Sequence, residues 1–291
     1  MDYILKNDKI TVKVSDQGAV LKSIMDQEGT EFIWIGDKEY WAGQAPHLFP
    51  YVGRFTDGKY TLNGKTYEMV IHGFARFEEF AVEEQSETKI VLSLSDNEKL
   101  RESYPYAFKF SIIYEVEGNT LKQTYRVENK GNEKMYFAVG GHPGFNVPLE
   151  KGLAFEDYKL EFANRADAWR VGMSDTCYVN GKDETFVLEE GRSLRLKHEL
   201  FDHDAIVLKH MDRTVKLCSD KGSKSVTVSY PDLPYLGIWQ TPKKQPGFVC
   251  IEPWSTLPSR DGIVEEFTQK SDMLMVGPGM VYENRWDITC E

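Results

Sequence analysis

Moving a proton from one atom to another takes a group that accepts it and a group that gives it, and two side chains of this sequence stand in settings suited to those tasks. Glu252 lies in FVCIEPWS, directly behind a four-residue apolar run and two residues before Trp254. A carboxyl in apolar surroundings is desolvated, which raises its pKa and makes it a stronger base. An unpaired buried glutamate is costly, so the reading is either a functional group or a salt bridge, with Arg54 as the candidate partner. His142 lies in FAVGGHPGFNVP. The apolar run reads as a buried strand, and the Gly/Pro cluster ends it and turns the backbone. That places the imidazole at a rigid strand end from which it can reach a ligand. The alternative is a half-buried histidine bonded to a backbone carbonyl. Arg54, after PYVG, and His72, in VIHGFAR, repeat the pattern of a polar side chain in apolar, turn-rich surroundings.

Other chemistries lack their residues. The glycine-rich phosphate loops GxGxxG and GxxxxGK[ST] are absent, as are HExxH and GxSxG. His203 between Asp202 and Asp204 is an acidic-histidine cluster, too little to specify a metal. We therefore do not expect a bound catalytic metal. The net charge of −11 argues against nucleic acid or an anionic membrane as partner, since both need clustered Lys and Arg. Cys177, Cys218, Cys250 and Cys290 form no CxxC pair and read as reduced thiols. The first residues, MDYILKNDKI, carry no secretory pattern, and no apolar run reaches membrane-span length, so a cytoplasmic location is expected.

The elements that must hold these groups are strands. Short β-type segments recur at roughly ten-residue spacing along the whole chain, with Asp96–Tyr104 as the best helix candidate. Asn63-Gly64 between KYTL and KTYEM predicts a type I′ hairpin, and Gly118-Asn119 predicts another hairpin. Ala45–Gly53, with two prolines, cannot be a central strand and reads as a packed loop. Without a linker or internal repeat, the pattern predicts one all-β domain over residues 1–291, a large antiparallel β-sandwich.

Four segments in order, LFPYVGRF (48–55), IHGFAR (71–76), GGHPGFN (140–146) and CIEPW (250–254), make the sequence resemble the aldose 1-epimerase (mutarotase) family, and within it the lactose-operon-associated, LacX-like branch. The resemblance runs to the closing GPGMVYENRWDI and so covers essentially the whole chain. It implies a galactose mutarotase-like supersandwich that interconverts the α and β anomers of a free hexose without a cofactor. It implies Glu252 as the base that takes the anomeric hydroxyl proton and His142 as the acid that protonates the ring oxygen. Arg54 and His72 would position sugar hydroxyls and the ring-oxygen side. Two departures touch specificity. PYVGRF stands where classical members carry an Asn-rich stretch, and FDHDAIVL stands in place of their strand Asp-His pair. Asp204 is the preferred sugar contact there, at the mouth of the strand Ala205–Leu208, with His203 next and Asp202 still open. Trp254, Trp239 or Phe145 could stack on the sugar or belong to the core. His47 could approach the cleft, Arg76 could line it or hold the loop, and His198 and His210 read as surface residues. The partner expected is a monosaccharide, and the protein a monomer or homodimer. Two other readings remain: a hexose-phosphate mutarotase using Arg54, Arg76 and Lys243-Lys244, and a carbohydrate-binding or sensing protein without turnover.

Overall fold

Alternation with period two is written into the long strands and decides which face is buried. In Phe108–Glu117, the residues Phe108, Phe110, Ile112, Tyr114 and Val116 are buried in one apolar core, while Lys109, Ile113, Glu115 and Glu117 are not. A fully buried large apolar side chain contributes about 1.5–3 kcal/mol, so a one-residue slip of such a strand would reverse many favourable burials at once. The computed structural model describes residues 1–291 and is built almost wholly from antiparallel sheets.

A nine-stranded sheet runs in the order Ser193–Arg195, Tyr158–Phe162, Thr214–Ser219, Val226–Ser229, Val281–Cys290, Thr120–Asn129, Phe108–Glu117, Lys89–Ser95, Ala81–Gln85. An eight-stranded sheet runs Glu184–Thr185, Trp169–Arg170, Ile206–Lys209, Tyr235–Trp239, Phe248–Trp254, Gly140–Gly141, His47–Leu48, with Gly144–Asn146 also paired to Phe248–Trp254. Both sheets send side chains into one apolar core of 65 residues, which makes the pair a sandwich. No helix is long and apolar enough to cross a membrane.

The expected turns form. Leu62 pairs Lys65 across Asn63 and Gly64, both at positive φ (52° and 79°), as a type I′ turn requires. Glu117 pairs Thr120 across Gly118 (φ 58°) and Asn119. The helix spans Glu98–Ser103, and the side chain of Asn97 caps it by accepting from Leu100 N at 2.9 Å. Ala45–Gly53 is a packed loop that contributes only the two-residue strand His47–Leu48.

The segment around His142 differs from the single strand expected. Met135–Phe137 pairs with Leu274–Val276 in a separate two-stranded sheet, and Gly140–Gly141 does not end a strand but forms one, between Trp254 on one side and His47–Leu48 on the other. Behind it lies a buried polar cluster. Tyr125 Oη donates to Gly140 O at 3.0 Å and lies 2.9 Å from His47 Nδ1, while Tyr114 Oη donates to Ala19 O at 2.8 Å and lies 2.5 Å from His47 Nε2. His47 therefore belongs to the core, and burial pushes it down to about 3. Tyr125→Phe would leave Gly140 O and His47 Nδ1 short of a partner inside the core, and we expect it to cost about 1–3 kcal/mol in urea unfolding. An unchanged midpoint would show that the cluster does not support this strand.

Candidate active site

Glu252 is the fifth residue of the seven-residue strand Phe248–Trp254, every residue of which is buried. The apolar run before Glu252 does not stop at it: the carboxylate projects from within a strand inside the eight-stranded sheet. Alternation explains how it is held. Val249 and Ile251 belong to the main core, whereas Phe248, Cys250, Glu252 and Trp254 occupy the other face. The neighbouring strands repeat the division. Leu236 and Ile238, and then Ile206 and Leu208, pack into the core, while Trp239 and Val207 face the same cavity as Glu252. Gly237 sits opposite Glu252 in the ladder. A Cβ there would come within 2.9 Å of Trp254 Cζ2 and 3.2 Å of Glu252 Cβ, so the indole reaches its place only over a glycine.

His142 follows Gly140–Gly141 and is anchored through its backbone, donating from N to Pro46 O at 3.1 Å, with Ile251 N donating to Pro143 O at 3.2 Å. Its ring stacks on Trp41 (centroids 4.9 Å apart, planes at 28°) and meets the rings of Trp239 and His72 near perpendicular at 5.6 and 5.5 Å. Its Nε2 lies 3.3 Å from Glu252 Oε2, outside hydrogen-bond geometry. Burial pushes Glu252 well above the usual carboxylate range, and the charge of Asp204 adds to it. Burial likewise pushes His142 down to about 3, helped by the Arg76 guanidinium.

All six residues expected at a site (Arg54, His72, His142, Asp204, Glu252 and Trp254) line one cavity of about 280 Å³. His72 sits at positive φ (64°) and is locked to Gly53: His72 N donates to Gly53 O at 2.7 Å, and Gly53 N donates to His72 Nδ1 at 3.1 Å. Because Nδ1 accepts, Nε2 carries the proton, and the ring can act as a hydrogen-bond donor. Arg54 forms no ion pair with Glu252 or any other carboxylate. Asp204, at φ 74°, accepts from Ala205 N at 2.8 Å and from Cys177 Sγ at 3.2 Å. His203 also lines the cavity; Asp202 does not. Of the remaining histidines, His210 is exposed, while His198 is half-buried and stacked on Phe155. Phe145 belongs to the core. Lys243 and Lys244 lie outside the cavity.

Eight buried side-chain nitrogen and oxygen atoms lack a hydrogen-bond partner, and four of them (Arg76 Nε, His142 Nδ1, Glu252 Oε2 and Trp254 Nε1) belong to residues lining this cavity. Buried polar groups are ordinarily satisfied, so this concentration suits a polar ligand. His142, Cys250 and Glu252 also bring ligand-type atoms within 4.8 Å of one another. Burial, with Glu252 nearby, holds the Cys250 thiol well above its usual range, so it stays protonated and is a poor metal ligand.

The sequence matches the aldose 1-epimerase family model over residues 1–269. The chain belongs to the aldose 1-epimerase family. It is 36% identical to the chromosomal protein LacX of Lactococcus lactis over 99% of both chains, which agrees with the LacX-like branch expected. A galactose mutarotase related enzyme from Lactobacillus acidophilus superposes with a TM-score of 0.94 at 35% identity, covering 100% of this chain and 97% of that one. A galactose mutarotase-like protein from Lactobacillus casei gives 0.93 at 29% identity, covering both chains fully. The family's galactose mutarotase-like fold is the sandwich described above.

Sequence reasoning missed Trp41 and Cys177. Trp41 sits in the irregular segment GDKEYWAG, about a hundred residues from the histidine it stacks on, with no periodicity to mark it. Cys177 read as an ordinary thiol; its backbone φ of 65° and its contact with Asp204 have no sequence signature. Gly237→Ala should destabilise this aldose 1-epimerase family member by about 1–3 kcal/mol through overpacking against Trp254, measured by urea unfolding. A neutral effect would mean that the indole does not need the glycine.

Proposed function

We propose that the protein is an aldose 1-epimerase that interconverts the α and β anomers of a free hexose by ring opening and closure, with Glu252 and His142 as the catalytic pair. The reading is supported most directly by the two side chains 3.3 Å apart on the wall of a cavity whose buried polar atoms lack protein partners. In ring opening, Glu252 takes the proton of the anomeric hydroxyl while imidazolium His142 gives one to the ring oxygen; the bond from C1 to the ring oxygen breaks as the C1 carbonyl forms. Rotation about the bond between C1 and C2 presents the other carbonyl face. His142 then takes the proton of the C5 hydroxyl, Glu252 returns its proton to the carbonyl oxygen, and the ring closes as the opposite anomer. The His72 Nε2–H and the unpaired Arg54 hold hydroxyls, Asp204 accepts from another, and Trp254 offers an indole face and an N–H.

The cycle needs one proton on the pair. With the cavity empty, burial favours the neutral arrangement, protonated Glu252 beside neutral His142. Moving that proton from Glu252 to His142 gives the ion pair that starts ring opening. A second proton stops the cycle, and it enters only as His142 titrates, at about 3. The rate should therefore stay level as pH falls through 6.5, where a free histidine titrates, and drop only well below 5. It should also be lost at high pH, when the single proton leaves. An acid limb centred near 6.5 would contradict this proton count.

Polarimetry or exchange NMR on freshly dissolved glucose and galactose tests the activity. Glu252→Gln should lower kcat by about 10²–10⁴-fold, the usual scale of acid–base catalysis; full activity in that variant would remove Glu252 as base. No acceleration of any common aldose would end the reading, and binding heat without acceleration would identify a sugar binder instead. The two guanidinium side chains in the cavity, Arg54 and Arg76, favour a hexose phosphate as second reading. Preference for the free sugar in competition with its 6-phosphate would remove it.

A further inference from the structure

The cavity does not end at its own wall. Met173, His203, Asp204 and Ala205 also line a second, more open groove of about 700 Å³, larger than the cavity of about 280 Å³. Neither His142 nor Glu252 borders this groove. It opens from the Asp204 wall and not from the wall that carries the proton-transfer pair.

Besides Asp204, the groove brings together six charged side chains, Arg170, Asp175, Lys182, Glu184, Asp202 and Lys243. Three are cationic and three anionic. None of them takes part in an ion pair or a side-chain hydrogen bond within the protein, although each sign has its opposite in the same groove. A mixed-charge depression on the nine-stranded sheet behaves differently: there Glu83 pairs with Lys109, Glu84 with Lys89 and Glu128 with Lys130. The groove beside the cavity thus keeps free donors and free acceptors of both kinds along one path. A phosphate would meet four carboxylates there, Asp204 included, as well as three cations. A polyhydroxyl ligand suits the set better, since each hydroxyl both donates to a carboxylate and accepts from an ammonium or guanidinium group.

We infer that this groove is a second sugar subsite, and that the preferred substrate is a reducing disaccharide or longer oligosaccharide whose reducing ring fills the cavity while the next ring lies among Arg170, Lys182, Glu184 and Lys243. The inference rests on the anomer-interconverting reading above. It follows from that reading that the anomeric carbon must face His142 and Glu252, so a substituent on a remote hydroxyl has its exit past Asp204. Mutarotation requires only a free anomeric centre, so the glycosidic bond to the next ring is untouched by the reaction.

Anomer interconversion by the full-length protein should be followed by exchange NMR with glucose, maltose, lactose and melibiose, which share a glucose reducing ring. At least one disaccharide should exceed glucose in kcat/KM by about tenfold, the scale of one hydrogen bond to a charged group. The double variant Lys182→Ala, Glu184→Ala, at two exposed positions, should erase that advantage through KM and leave glucose unchanged. Glucose turned over as well as every disaccharide, with the double variant indistinguishable from wild type, would overturn the inference and leave the activity standing. Calorimetry with the same four sugars separates the remaining case. If no sugar is turned over, a disaccharide that binds more tightly than glucose, and loses that advantage in the double variant, supports the subsite while the activity reading falls. Equal or weaker binding overturns the subsite too.

Discussion

A carboxyl group in the middle of a strand buried on both faces is the constraint that the site depends on. Desolvation alone would make Glu252 an expensive residue, and no cation of the protein offsets it. The sheet accommodates it through alternation. One face of Phe248–Trp254 gives Val249 and Ile251 to the main core, and the other gives Glu252 and Trp254 to a cavity. Hydrogen-bonded neighbours on both sides of the strand fix the direction of the side chain, which makes the placement more rigid than a loop could provide.

The surroundings then set the proton chemistry. His142 is held by its backbone, by stacking on Trp41 and by edge contacts with Trp239 and His72. Those rings exclude solvent from the imidazole and push its pKa down, as the same burial pushes Glu252 up. Two groups displaced in opposite directions and placed in contact both favour their neutral forms, which leaves little separated charge in the cavity. His72 adds a donor of fixed tautomer, because Gly53 N occupies its other nitrogen. Of the nine non-glycine residues at positive φ, three, His72, Cys177 and Asp204, line this cavity, and such conformations hold side chains in set directions.

Much of this was legible in the residues. Period-two alternation and the Asn63-Gly64 turn specify antiparallel strands through local sterics and one-sided burial, so the all-β sandwich follows from patterns a few residues long. The polar residues in apolar settings, Arg54, His72, His142 and Glu252, were legible for a related reason: a charged or polar group flanked by apolar residues must have a purpose that outweighs its desolvation. Asp204 was picked out through the family resemblance, and Trp254 stayed open between sugar contact and core. What adjacent residues cannot encode is which distant segments meet. The glycine pair before His142 read as a terminator, yet it is a strand, because Trp254 and Trp286 pack where its side chains would have been. His47 was left able to approach the cleft, yet tyrosines from the opposite sheet claim both of its nitrogens. Trp41 and Cys177 carried no sign of their roles. The sequence by itself determined the strand class and the chemical types available; the tertiary structure decided that His142 stands 3.3 Å from Glu252, since that contact depends on the register of a ladder joining segments more than a hundred residues apart.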